Sequence, residues 1–348
     1  MSKSKTVTTK KKTASKASTA KPAAAKRAPA RSSGNKSKEL ISILVPCYNE
    51  QAVIHMCHKR ITDVISELEK DYKFEICYIN DGSKDDTLND LLAIQKMDKR
   101  VMVVNLSRNF GKEVAMTAGL DQITGDAVII LDADLQDPPE LIPDLIKIWK
   151  DEDCDVVYGQ RISRLGETWF KKFSAAVFYK IINRISRVDI PLNTGDFRIM
   201  NRRAIDALAQ LREKHRFMKG MFAWIGYKQV PLQYQRQPRA AGRTKWDYIS
   251  LWNLSLEGIT GFSMTPLRMA TVFGFLISAF SFLFGAYILV KTLFFGSDVP
   301  GYPSLMVMIS FLSGIQLLTI GILGEYIGRI FSETKRRPLY LIDKIYKS

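Results

Sequence analysis

The sequence predicts an α/β protein built on a mostly parallel sheet and followed by two helices apolar enough to cross a bilayer. Three observations carry that reading. Short aliphatic and β-branched runs alternate with stretches of helical periodicity. Each run ends in a polar cluster, as strands do when their carboxyl ends open into a ligand cleft. Two long uncharged segments then follow Arg268.

Taken in order, residues 1–38 hold twelve Lys or Arg and no acidic residue, so of the net charge of +16 only about +4 falls on the rest. That basic segment is rich in Ala, Ser and Thr and too poor in large apolar side chains to offset its ordering entropy; it is expected to be disordered. It has no apolar stretch resembling a signal peptide. The charge argues for solubility or for attraction to anionic headgroups rather than for nucleic-acid binding. The first strand is expected over Ile41–Pro46, ending in Cys47-Tyr48-Asn49-Glu50, and a helix over 52–70 follows. A second strand, Glu75–Asn80, delivers Asp81-Gly-Ser-Lys-Asp-Asp-Thr87, with a helix over 88–97 after it. The third, Val101–Leu106, delivers Ser107-Arg-Asn-Phe-Gly-Lys112. Ala127–Leu131 is an unbroken apolar run closed by Asp132 and Asp134. A further apolar run, Asp155–Gly159, leads to Arg161.

Carboxylates at i and i+2 of a strand point the same way and repel one another. A hard cation such as Mg²⁺ or Mn²⁺ between them and a phosphate-bearing ligand relieves that repulsion. An isolated Asp-x-Asp is weak evidence; four strand-end clusters on one edge make a site.

Val45-Pro-Cys-Tyr-Asn-Glu50, Asn80-Asp-Gly-Ser83 with Asp85-Asp-Thr87, and Leu131-Asp-Ala-Asp-Leu-Gln-Asp-Pro-Pro139 resemble the inverting family 2 glycosyltransferases of GT-A, Rossmann-like fold. Arg108-Asn-Phe-Gly-Lys112 and Asn193-Thr-Gly-Asp-Phe-Arg198 resemble the polyisoprenyl-phosphate branch of that family, which holds dolichol-phosphate mannose synthase and the bactoprenol glucosyltransferases. The resemblance runs from about Leu40 to the C-terminus. It implies a nucleotide diphosphate sugar as donor, with Pro46, Tyr48, Asn49, Glu50, Asp81, Lys112 and Asp132 holding it. It implies Mg²⁺ or Mn²⁺ on Asp132, Asp134 and Gln136, and catalytic duty for Asp134, Asp196 and Arg198. The acceptor phosphate falls to Arg161, Lys171, Lys172, Arg198, Arg243 and Lys245, since Arg grips phosphate bidentately and Lys acts as a point charge. UDP-glucose and undecaprenyl phosphate lead the candidates; UDP-N-acetylglucosamine, a UDP-arabinose derivative and GDP-mannose stay open.

Met269–Val290 is an uncharged run of 22 residues and Leu305–Leu323 is a second apolar stretch, each long enough for the ~30 Å hydrocarbon core. The loop between them, residues 295–303, has no Lys or Arg, whereas Arg268 precedes the first span and Arg329, Lys335, Arg336 and Arg337 follow the second. The positive-inside rule therefore places both termini and the catalytic part in the cytoplasm, for an integral protein of a bacterial inner membrane. Trp169–Arg184 and Trp246–Ile259 carry aromatic and aliphatic residues at helical spacing with basic residues interleaved, as interfacial helices do.

These readings divide the chain into a basic tail (1–38), a GT-A domain (39–240), an interfacial linker (241–265), a two-helix membrane part (266–331) and a cytoplasmic tail (332–348). Gly261, Gly274, Gly285, Gly314, Gly321, Gly324 and Gly328 offer small faces for helix packing and for a homo-oligomer. Cys47, Cys57, Cys77 and Cys154 lack metal or redox spacing and are expected as free thiols. His55 and His58 are expected at the surface. The rival reading, a processive polysaccharide synthase, calls for a Gln-x-x-Arg-Trp motif and more spans; here Arg243-Thr-Lys-Trp246 stands instead.

Overall fold

In a computed structural model of the protein, the structure describes residues 38–162, 190–235, 260–261, 263–296 and 301–347. Eight strands among them form one sheet in the order β7-β5-β6-β4-β1-β2-β3-β8. These are β1 (Leu40–Cys47), β2 (Lys73–Asn80), β3 (Val101–Leu106), β4 (Ala127–Ile130), β5 (Val156–Arg161), β6 (Thr194–Asn201), β7 (Gln229–Tyr234) and β8 (Ile342–Tyr346). β1 pairs in parallel with β2 and β4, β2 with β3, and β5 with β7. β6 runs antiparallel between β4 and β5, and β8 antiparallel along β3. The mostly parallel GT-A sheet expected from the alternating pattern is present, with two reversed strands that the pattern did not disclose.

The strands read as apolar runs because both faces of the sheet are covered. On one face lie α1 (Ile54–Leu68), α2 (Thr87–Met97) and α4 (Ile142–Asp151); α1 buries Ile54, Cys57, Ile61 and Ile65, a single stripe, against Ile43, Ile76 and Tyr78. On the other lie α3 (Lys112–Leu120), α5 (Arg202–Ala209) and α6 (Met218–Trp224), packed on Leu44, Cys77, Ile79 and Ile130. α5 starts where the Asn201 side chain accepts a hydrogen bond from the Ala204 N–H at 2.9 Å. Pro46 is tolerated in a central strand because β4 ends at Ile130 and the last bond from that side is Leu131 N–H to the Leu44 carbonyl, 3.0 Å. All four cysteines are buried and free.

α7 (Thr265–Phe295) and α8 (Tyr302–Thr334) contain the two expected apolar stretches, each extended by several residues. Both are long and apolar enough to cross a membrane, and Phe275, Phe282, Leu283, Leu317 and Leu318 stand exposed along them. The Tyr326 hydroxyl donates to the Ser263 carbonyl at 2.8 Å and ties the far end of α8 to the start of α7.

The segment 332–348 is more than a tail. After α8 the chain returns to the sheet, where β8 covers the edge of β3 and Tyr340 donates to Asp121 Oδ2 at 2.6 Å. Glu333, one residue before the end of α8, accepts from the Lys214 N–H at 2.7 Å. His58 also differs from expectation: its ring lies 3.1 Å from the Tyr78 hydroxyl and 3.7 Å from Asp98, and only 16 % of the side chain is exposed. His55 remains at the surface.

Candidate active site

The carboxyl ends of β1 to β4 face the same edge, and their loops are bonded to one another. Asn49, at φ 52°, donates its N–H to Ser83 Oγ at 3.0 Å and accepts from the Lys84 N–H at 2.8 Å. The Glu50 N–H donates to Thr87 Oγ1 at 2.9 Å. Gly82 sits at φ 62°, and a Cβ there would lie 2.4 Å from the Arg108 carbonyl carbon, so the loops after β2 and β3 touch only because that residue has no side chain.

Asp81 is 2 % exposed. Its Oδ1 accepts from the Phe110 N–H at 2.7 Å and its Oδ2 from Gly111 N–H at 2.9 Å and Asn109 Nδ2 at 3.1 Å. These bonds make the Asp81 carboxylate hold the turn that leads into Lys112. Burial raises its pKa and those two N–H groups pull the other way.

Asp132 and Asp134 lie beyond β4 rather than on it, because the strand ends at Ile130. The chain then turns. Asp134 Oδ1 accepts from the Gln136 N–H at 3.1 Å, and the buried Leu135 takes φ 59°, a left-handed conformation costly for a bulky side chain. Gln136 therefore does not continue a strand edge.

β6 enters from the opposite direction, so its first residues reach the edge where the parallel strands end. Asp196 arrives there and meets Lys112, the first residue of α3. The Lys112 ammonium lies 2.6 Å from Asp196 Oδ2, 2.7 Å from Asp132 Oδ1 and 2.8 Å from Asp132 Oδ2. One cation thus joins two carboxylates brought from different strands. Burial works against the charged amine, but the two carboxylates hold its pKa above the usual range. Burial also pushes Asp132 up to about 6 against the pull of Lys112, and Asp196, Asp137 and Asp134 add to the rise. At Asp196 burial is outweighed by Lys112 and Lys219, and the carboxyl is held well below the ordinary range. Glu113, beside Lys112, is pushed up to about 8 by burial and by Asp196.

Arg198 does not reach outward as a phosphate ligand, as expected from the motif. It is 3 % exposed, donates to the carbonyls of Gly195 (2.9 Å) and Asp196 (3.3 Å), and stacks 3.4 Å from the Phe222 ring centroid. Burial lowers its pKa to about 10. Its guanidinium braces the start of β6 from behind.

Arg161, at the end of β5, sits elsewhere. It lies 3.5 Å from Asp137 Oδ1 and 3.3 Å from the Tyr234 hydroxyl, which in turn donates to Asp137. A Cβ on Gly195 would come within 2.7 Å of the Arg161 guanidinium, so this glycine leaves room for it. Asp137 is fully buried with Oδ2 unpartnered among the described residues, as are Asp196 Oδ1 and Glu113 Oε2. Asp137, Tyr234, Glu113 and Lys219 were not singled out from the sequence. Asp137 stands inside the Asp-x-Asp motif's own continuation; the others had no local signal. Lys171, Lys172, Arg243 and Lys245, with both expected interfacial helices, lie outside the described residues.

The family model Glycosyl transferase family 2 matches residues 42–209. An uncharacterized glycosyltransferase of Synechocystis sp. is 49% identical over 306 residues, covering 88% of this chain and 95% of its own. The prophage bactoprenol glucosyl transferase homolog of Escherichia coli is 46% identical, covering 88% of this chain and 99% of its own. The bactoprenol glucosyl transferase of Shigella phage SfII is also 46% identical, covering 88% and 98%. With such identity over nearly the whole of each relative, the chain belongs to glycosyl transferase family 2 as a glycosyltransferase akin to the bactoprenol glucosyl transferases.

Proposed function

We propose that the protein transfers a sugar, glucose from UDP-glucose in the leading case, to a polyisoprenyl phosphate such as undecaprenyl phosphate, at the cytoplasmic face of a bacterial inner membrane. The observation that carries this reading is the Lys112 bridge between Asp132 and Asp196. It joins the end of β4, on the donor side, to the start of β6, on the acceptor side. The names of the relatives support the glucosyl and lipid parts.

The donor set fits a divalent cation. Asp132, Asp134 and the Gln136 amide offer hard oxygens suited to Mg²⁺ or Mn²⁺. Asp132, pushed up to about 6 by burial and then by Asp196, Asp137 and Asp134, lies among carboxylates whose repulsion a cation would relieve. A bound metal would act as a Lewis acid, neutralising charge on the departing nucleotide diphosphate.

Lys112 holds Asp132 and Asp196 in register and, as a point charge, faces the donor phosphates. Asp196 is the wrong carboxylate for a strong base: Lys112 and Lys219 stabilise its anion. A phosphate monoester, with a second pKa near ~6, is in any case mostly dianionic at neutral pH. Asp196 therefore orients Lys112 and the acceptor side, and Arg198 fixes the backbone that carries Asp196. Attack of the lipid phosphate oxygen on the anomeric carbon would invert it, the rate gain coming from proximity and charge stabilisation.

Two apolar helices that begin and end on the side of the catalytic sheet support an even number of crossings. α7 leaves from residue 265, and β8 brings the chain back onto β3. The direct test is transfer by purified full-length protein to undecaprenyl phosphate across a panel of labelled nucleotide sugars, with Mg²⁺, Mn²⁺ or EDTA. Metal-dependent labelling of the lipid by one donor is expected. No lipid product from any donor, with the protein folded, would remove the acceptor assignment.

A further inference from the structure

Beyond the second apolar helix, the last strand supplies a side chain to a hydrogen-bonded line that ends in the candidate nucleotide loop. β8 pairs with β3 in a broken register: Asn105 faces Lys344 and Leu106 faces Ile342, so Asp343 is left over between them. A residue bulged from a ladder has its side chain re-aimed. Here Asp343 Oδ2 accepts from Asn105 Nδ2 at 3.0 Å. Asn105 Oδ1 accepts from Asn80 Nδ2 at 2.7 Å, where Asn80 is 1 % exposed. Asn80 Oδ1 accepts from the Ser83 N–H at 3.4 Å, and Ser83 Oγ accepts from the Asn49 N–H at 3.0 Å.

Every donor in this line points the same way, from Asn49 toward Asp343. The carboxylate sets that direction. An ionised Asp can only accept, so Asn105 must turn its amide nitrogen to it and its oxygen to Asn80. Asn80 must then offer its own oxygen to the Ser83 backbone. Chains of hydrogen bonds aligned in this way polarise and strengthen one another. The line crosses three neighbouring strands at one level, since Asn80 and Asn105 are register partners and Cys47, two residues before Asn49, is the partner of Asn80. At its far end Asn49 holds a left-handed backbone, φ 52°, that the surroundings must enforce.

We propose that Asp343, through Asn105 and Asn80, is a positioning residue for the donor loop, so that the strand following the second apolar helix presets the nucleotide site. The inference rests on the reading of Tyr48-Asn49-Glu50 as part of the donor pocket. Asp343 touches no substrate; it fixes which way the two buried amides face, and with them the Ser83 turn on which Asn49 rests. Anchoring of the membrane hairpin and readiness of the donor pocket thereby share one strand.

The test uses the full-length protein in detergent, with Mn²⁺ and with UDP and GDP as calorimetric probes. Asp343→Ala is expected to raise the dissociation constant of the nucleotide that wild type binds by about threefold to tenfold, the net size of one ordinary hydrogen bond, as suits a carboxylate on the exposed part of β8. In transfer assays the donor KM rises while kcat at saturating donor stays within about twofold, the signature of lost ground-state binding. Asp343→Asn, which offers an oxygen to Asn105 but also an amide that can donate, is expected to recover part of the lost affinity. Tyr340→Phe loosens the same segment at Asp121 without touching the line; it should lower the melting temperature and leave the nucleotide affinity alone. Unchanged affinity in Asp343→Ala overturns the inference, as does an equal loss in Asp343→Asn or in Tyr340→Phe. Failure of wild type to bind either nucleotide removes the donor-pocket reading itself, and the inference with it.

Discussion

The donor side and the acceptor side of the site are built differently. The loops after β1, β2 and β3 are knitted by short backbone-to-side-chain hydrogen bonds: Asn49 with Ser83, Glu50 with Thr87, Asp81 with Phe110 and Gly111. Few of their polar groups await a ligand. Around β6 the opposite holds, with buried oxygens of Asp137, Asp196 and Glu113 unpartnered among the described residues and charges massed against one another. Unpaired buried polar atoms are costly. Under the proposed function the first is a preformed pocket for a soluble donor and the second a charged, under-satisfied region completed on binding. Lys112 is where they meet.

The largest expected effect tests the edge between the two. Asp134→Ala should lower transfer by about a thousandfold, since a Lewis-acid metal contributes several kcal/mol and each ~1.4 kcal/mol is a factor of ten. Circular dichroism should be unchanged. Turnover within tenfold of wild type would dissolve the metal assignment. Next comes Lys112→Met, which leaves Asp132 and Asp196 facing each other without a cation; a fall in kcat of about a hundredfold is expected, beyond any change in donor KM. A loss confined to KM would make Lys112 a donor ligand only, and the two sides would be uncoupled.

On the acceptor side the comparison can be sharpened at Tyr234, whose hydroxyl donates to the fully buried Asp137. Tyr234→Phe takes away that donor and leaves Asp137 with Arg161 alone, so unfolding in urea should show a loss of about 1–3 kcal/mol. Arg161→Lys then decides the role of the pair. A raised acceptor KM with unchanged stability marks a phosphate ligand, and lowered stability with unchanged KM marks a structural brace.

The same contrast explains what could be read from the sequence. The donor side was legible because each motif is local to one strand end: Pro46 to Glu50, Asp81 to Thr87, Arg108 to Lys112. The helical stripe Ile54, Cys57, Ile61, Ile65 and the apolar runs gave the layers. The acceptor side depends on pairings between distant residues. Asp137 and Tyr234 are 97 positions apart, and Asp196 comes to the site only because β6 is reversed, which its composition does not reveal. Arg198 looked like a phosphate ligand because its motif lies beside Asp196; the two share one face of β6, but at Arg198 that face is covered by α6, and the guanidinium stacks on Phe222. β8 is five residues, Ile342-Asp-Lys-Ile-Tyr346, without alternation, and cannot be told from a polar tail until its partner, 238 positions earlier, is known.

The smallest effect lies behind the donor side, where its loops rest on α1 and β2. His58 packs against Tyr78 and near Asp98, with Arg100 and His55 also close. Burial lowers its pKa from 6.5, and Asp98 only partly opposes this. The folded protein therefore resists protonation that the unfolded chain accepts near pH ~6.5. Stability should fall as pH drops below that value and level off once the folded ring also takes its proton. Asp98, whose own pKa is lowered, loses its contribution only at more acidic pH. Urea midpoints compared at pH 7.5 and 5.5 (values chosen to lie about one unit either side of ~6.5) bracket the imidazole; Asp132 and Glu113, pushed up to about 6 and about 8, titrate in the same range with the opposite effect on stability. His58→Gln keeps a polar side chain without the titration and should narrow the gap between the two midpoints. An undiminished gap would take His58 out of the acid response altogether.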